Sequence, residues 1–148
     1  MPMEKQDTKV PAALKMKRER CEVVNQAIRI IAAHGRRFFH HAGQFASMEV
    51  DDRGRVWFVD DYSRKRIYTH EATFGNRWRG FTHGGTLRNL VENFRDFIRT
   101  GKPVHPGYLG PERENGSNIW GYEPEAMAIV RAEASALPVF HQPAGAQP

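Results

Sequence analysis

A second cysteine is missing from this chain: Cys21 stands alone among 148 residues. One thiol closes no internal disulfide, so burial and hydrogen bonding must hold the fold, and a disulfide-framed scaffold is excluded. Long apolar runs are missing too. None reaches the roughly 20 residues that a membrane-crossing helix needs, so no membrane partner is expected. The N-terminal stretch MPMEKQDTKVPAALKMKRER carries positive charge but neither the continuous apolar segment nor the small-residue cleavage site of a signal peptide. A reducing cytoplasm is therefore the expected compartment.

The signatures of metal and nucleotide chemistry are also absent. There is no HExxH, no paired CxxC, no GxxxxGK[ST] and no GxGxxG. Of the seven histidines, His40 and His41 are adjacent on an expected strand and so point to opposite faces. No metal and no cofactor are expected from such spacing. Cys21 falls on an apolar helix stripe and reads as a core thiol. Glu49 with Asp51, and Asp60 with Asp61, match a magnesium-dependent nuclease poorly, because aspartate is favoured in tight turns for its hydrogen bonds to the backbone. With no acid, base or nucleophile at convincing spacing, no catalytic residue is assigned, and a binding module is favoured over an enzyme. A hydrolase would require His70, His83 and a carboxylate to converge in one concave pocket.

What is present suits one ordinary domain. Hydrophobic residues make up 40% and charged residues 26%, and nine Phe, four Tyr and three Trp supply large side chains to bury. A single core is sustainable at this length, whereas two would each be marginal. The formal charge of +5 is unevenly placed: residues 1 to 79 hold 16 Lys and Arg against 10 Asp and Glu, and residues 80 to 148 hold 6 against 7. A basic half fits phosphate, an acidic protein or an anionic surface.

Residues 1 to 14 mix proline and charge with few large apolar groups and read as a flexible arm; 15 to 140 form the domain, and 141 to 148 are a flexible tail. From about Lys15 to His34, Cys21, Val24, Ile28 and Ile31 recur at three- and four-residue steps, which predicts an amphipathic helix closed by Gly35. Strands are expected at Arg37 to His41, Phe45 to Val50, Arg55 to Asp60 and Arg66 to His70, with a short edge strand at Arg77 to Phe81. Ala42-Gly43-Gln44 and Asp51-Asp52-Arg53-Gly54 carry turn chemistry. Thr86 is the expected N-cap of a second helix whose apolar face holds Leu87, Leu90, Val91, Phe94, Phe97 and Ile98, ended by Gly101 and Pro103. The long segment Lys102 to Trp120 reads as loop, and Pro124 opens a third helix to Leu137. The fold class is α+β: an antiparallel meander of about four strands with three helices mainly on one face.

Alternation places Arg55, Trp57 and Val59 on one face of their strand, and Arg66, Tyr68 and His70 on one face of the next. Joined by Arg64, Lys65, Arg77, Trp78 and Arg79, they would combine cations with flat rings, the surface on which single-stranded nucleic acid stacks. The alternative is that Trp57 is core and the arginines are a solvated rim, since Asp51, Asp52, Asp60 and Asp61 would dilute the patch by pairing with them. A second candidate is His83-Gly84-Gly85-Thr86, which opens a helix where backbone N–H groups can hold an anion. Tyr108 to Tyr122 is a long mixed loop of the kind that carries function or pins itself to the core.

The run HGRRFFHHAGQFASMEVDDRGRVWFVDDYSRKRIYTH followed by GGTLRNLVENFRDFIRTG resembles uncharacterised small proteins of bacterial plasmids, integrative elements and phages, over about residues 20 to 140. The resemblance implies a mobile-element setting and carries no activity or site residues with it. The expected partner is nucleic acid, met by the basic and aromatic sheet face, or alternatively a host protein such as a defence factor that the chain would inhibit.

Overall fold

The computed structural model describes residues 11–34, 39–73, 78–83, 85–105 and 124–140. Helix α1 runs Ala12–His34, followed by strands β1 (His40–His41), β2 (Gln44–Phe45), β3 (Ser47–Val50), β4 (Val56–Val59) and β5 (Arg66–Tyr68), then α2 (Gly85–Thr100) and α3 (Pro124–Ala134). The α+β class is as expected from the sequence. Helix α1 starts at Ala12 rather than Lys15, so its first turn takes in residues assigned above to the arm. Residues 1 to 10, 106 to 123 and 141 to 148, and with them the rest of the arm, the Tyr108 to Tyr122 loop and the tail, lie outside the described residues. Gly35 does too.

The expected meander is split in two. β1 and β2 form a hairpin in which His41 faces Gln44 across the two-residue turn Ala42-Gly43. Both turn residues have positive φ, 50° and 80°, the geometry that matches the twist of paired strands. The Ala46 N–H donates to the Phe39 carbonyl at 2.8 Å, one step further along the hairpin, and a three-stranded antiparallel sheet of order β3-β4-β5 follows. Arg77 lies outside the described residues, and 78 to 83 form no strand; this corrects the expected edge strand. Trp78 instead goes into the core, 1% exposed, with its ring against Phe81.

The inner sheet face is Met48, Val56, Phe58 and Ile67, all buried. Against it pack Val24, Ala27, Ile28 and Ile31 of α1, and Leu90, Val91, Phe94 and Ile98 of α2, with Met127 and Val130 of α3 in the same cluster. The helical periods read from the sequence produce these faces. The start of the C-terminal segment closes the core: Val139 and Phe140 are buried, Phe140 meets Phe94 edge-on at 6.0 Å, and the Val104 N–H donates to the Val139 carbonyl. Among the described residues no helix is long and apolar enough to cross a membrane.

Side chains finish what the backbone leaves open. Asn25 of α1 accepts from the Met48 N–H at 2.7 Å and donates to the Met48 carbonyl at 3.0 Å. The amide thus stands where a further strand would, and shields the outer edge of β3. Cys21 lies beside it, donating to the same carbonyl; burial, reinforced by Glu22 and Glu49, pushes its thiol up to about 12. That is a core thiol, not a nucleophile.

Candidate functional site

Among the described residues, helices cover one sheet face, and the other presents residues singled out for binding. The ladder sets Glu49 opposite Trp57 and Trp57 opposite Tyr68. Side chains at those positions share a face with Arg55 and Arg66. The Trp57 and Tyr68 rings lie 5.2 Å apart at 44°, both half-buried. The Arg66 guanidinium sits 4.2 Å from the Trp57 ring centroid and that of Arg55 5.7 Å from it, distances at which cations are attracted to the ring face. Trp57, Lys65, Arg66 and Tyr68, with Arg79 and Gly80, line a groove of about 420 Å³.

The turn before β4 orders this face. Asp51 accepts from the Arg53 and Arg55 N–H groups, from Arg55 Nε at 2.7 Å and from Trp57 Nε1 at 3.0 Å. Partial burial pushes its carboxyl up, but these hydrogen bonds outweigh that and hold it well below the usual carboxylate range. Arg66 is likewise paired, its Nε 2.9 Å from Glu49. Two of the face's cations therefore have acid partners, as the sequence suggested for Asp51, while Asp52 pairs with Arg18 of α1.

Other candidates fall elsewhere. Arg64, at φ 59°, donates to the Phe45 carbonyl and so leans toward the hairpin. Trp78, buried, is no part of the surface; its Nε1 donates to the Glu71 carbonyl. Arg77 and Gly84 lie outside the described residues. Helix α2 begins at Gly85, which puts Thr86 in its first turn rather than at the cap. His83 is directed at the chain's own Asp61, 2.6 Å away, rather than at an open N-terminus.

That last contact belongs to a cluster the sequence reading missed. Asp60 and Asp61, taken above for turn residues facing arginines, are 0% and 3% exposed. Asp60 accepts from the N–H groups of Tyr62, Ser63 and Thr82 and from the Thr82 hydroxyl. Burial pushes its carboxyl up; the hydrogen bonds from Ser63, Thr82 and Tyr62 win and keep it below its ordinary value. His83 is wedged between Phe39 and Phe81, ring centroids 6.0 and 5.6 Å away. A cavity of about 350 Å³ opens here, lined by His40, His41, Asp61, Tyr62, Thr82 and His83. The pocket required for an enzyme is thus half assembled: His83 and a carboxylate meet, but His70 is in another depression with Arg55 and Arg99. There burial, then the charges of Arg95 and Arg99, lower its pKa. No local spacing announces the cluster, because 22 residues separate Asp61 from His83.

Comparison with known proteins places the chain. The YoqU family profile matches residues 15–142. The chain belongs to the YoqU family. A curated relative, the SPbeta prophage-derived uncharacterized protein YoqU of Bacillus subtilis (strain 168), is 32% identical over 119 residues, 80% of this chain and 81% of the relative. The family thus includes a prophage protein, in line with the resemblance drawn from the sequence. No solved structure matches the chain.

Proposed function

We propose that this YoqU-family chain is a non-enzymatic binding module that takes single-stranded nucleic acid along the outer face of its three-stranded sheet. The observation that carries the reading is the half-buried Trp57–Tyr68 pair inside a groove rimmed by Lys65, Arg66 and Arg79. Flat rings with an accessible side stack on any base, and cations at the rim meet the phosphates. Guanidinium planes stack on bases as well, so Arg66 over Trp57 extends the platform. Its exposed ion pair with Glu49 is worth at most about 1 kcal/mol and exchanges readily for a phosphate contact.

The charge balance sets the expected strength. Arg55 is locked to Asp51, and the Arg66–Glu49 pair exchanges for a phosphate, so Lys65, Arg66 and Arg79 at the groove neutralise about two or three phosphates. The salt dependence for a single strand should then have a slope of roughly −1.4 to −2 in log K against log salt. Fluorescence anisotropy with labelled oligo(dT) and oligo(rU) over a salt series measures it. Trp57→Ala should weaken single-strand binding by about 1–3 kcal/mol and duplex binding less. Changing Lys65 and Arg66 together to Ala should flatten the salt slope by roughly 1.4, whereas Arg64→Ala should leave it alone. Absence of binding to either polymer at low salt sinks the proposal. The alternative, a host protein occupying the same face, then leads, since nothing among the described residues pairs with the outer edge of β5 and an extended peptide can add there.

A further inference from the structure

The buried acids beside the second cavity have a charge problem. Two consecutive carboxylates, Asp60 and Asp61, are removed from water, and among the described residues neither has a lysine or arginine partner. Among the described residues His83 is the titratable group that joins them, bringing at most one positive charge against two negative ones. An unbalanced buried charge costs several kcal/mol. The four donors that converge on Asp60, from Tyr62, Ser63 and Thr82, are all uncharged.

The free coordination capacity lies on the same atoms. Asp60 receives three of its four hydrogen bonds on Oδ2, and Oδ1 receives only the Thr82 N–H, which leaves a lone pair. Asp61 gives Oδ1 to His83, and among the described residues nothing donates to its Oδ2. One carboxylate oxygen from each aspartate and one His83 nitrogen lie within 4.8 Å of one another. We infer that Asp60, Asp61 and His83 form a binding site for one divalent first-row transition-metal ion, of the zinc or manganese kind, with its remaining positions open to the cavity.

Two oxygens and an imidazole nitrogen suit such ions better than calcium or magnesium, which prefer all-oxygen sets. The supports that hold ligands in a metal centre are present: three backbone N–H groups and a hydroxyl fix Asp60, and two aromatic rings fix the imidazole. The 2.6 Å between Asp61 Oδ1 and His83 Nε2 is shorter than the roughly 3.2 Å between neighbouring ligands around an ion bound at about 2.0 Å. Metal entry therefore takes the place of the Asp61–His83 hydrogen bond, the hydrogen-bonding proton passing to solvent, and moves the two atoms apart by about half an ångström. His40 and His41 on the cavity wall offer a further imidazole, or leave room for water.

Zinc and manganese chlorides, each titrated calorimetrically into the chelator-treated full chain, test the site. One ion should bind per chain, and at a hundredfold excess over Kd should raise the melting temperature by about 5–10 °C. Asp61→Asn and His83→Gln should each lose at least the roughly 10- to 100-fold in affinity that removal of a mere supporting partner costs. His70→Gln, on another part of the surface, should bind as the native chain does. Should the two site variants fail to fold, cobalt absorption of the native chain decides: ligand-field bands of a nitrogen- and oxygen-ligated ion support the site, and the spectrum of hydrated cobalt overturns it. Unaltered binding in Asp61→Asn and His83→Gln, or no melting shift with either ion, also overturns it.

Discussion

Strand β4 is bracketed by two aspartates that do similar local work to different ends. Asp51, before it, and Asp60, after it, each gather four hydrogen bonds and each organise a turn. Every partner of Asp51 lies within six residues of it. Two of those of Asp60 come from Thr82, 22 residues along the chain. The first aspartate therefore dresses the outer face, fixing Trp57 and Arg55, while the second bolts one loop to another and buries its charge in doing so. A turn residue and a keystone are alike in sequence, and only the origin of the donors separates them.

Removing the carboxylates in turn puts that contrast to the test. Asp60→Ala takes the acceptor from three part-buried N–H groups and a hydroxyl and empties a fully buried carboxylate site, and should cost about 3–5 kcal/mol, lowering the melting temperature by roughly 10 °C in thermal denaturation. It should also alter acid sensitivity. Because the folded-state pKa of Asp60 is depressed, its contribution is complete above the ordinary carboxylate value near 4 and is lost as pH falls through the folded value. The variant should accordingly lose less stability than the native chain over the same acid range. Equal loss in both would show that Asp60 does not carry this linkage.

A second test acts on the loop contact without touching a charge. Gly80, at φ 87°, lies so close to the Asp60 turn that an added Cβ would come within 2.9 Å of the Lys65 side chain. Gly80→Ala should cost about 1–3 kcal/mol through backbone strain and displacement of Lys65, and should narrow the groove, so oligonucleotide affinity should fall alongside stability. A fully stable variant would mean that the loop tolerates the shift and that the Asp60 keystone is less rigid than its hydrogen bonds imply.

The smallest stability effect is expected from Asp51→Ala, whose freed donors can reach water. Its melting temperature should fall by less than half as much as that of Asp60→Ala. The clearer sign should be optical: Trp57 loses the partner of its Nε1, so its emission should shift toward that of a solvated indole. An Asp51 variant as unstable as the Asp60 one would erase the distinction between the two ends.

How far each region could be read in advance follows the same division. Helix α2, the turns at Ala42-Gly43-Gln44 and Asp51 to Gly54, and the sharing of one face by Arg55 and Trp57 and of one by Arg66 and Tyr68 are all local consequences of period and turn chemistry; which face is turned outward is not. Trp78 was misplaced because an Arg-Trp-Arg run has the composition of a surface strand, yet its ring finds Phe81 and leaves no strand behind. Asp60 and Asp61 were misplaced because Asp after a strand is the usual mark of a solvated turn.

The sequence by itself determined the class of fold, the helix faces and which side chains of β4 and of β5 share a face, because those follow from dihedral periodicity within a few residues. Tertiary structure alone decided that the 78–83 segment folds over the Asp60 turn, burying two carboxylates and bringing His83 onto Asp61 at 2.6 Å. The reason is physical: a carboxylate leaves water only where enough donors converge on it, and here they converge from parts of the chain that no local pattern connects.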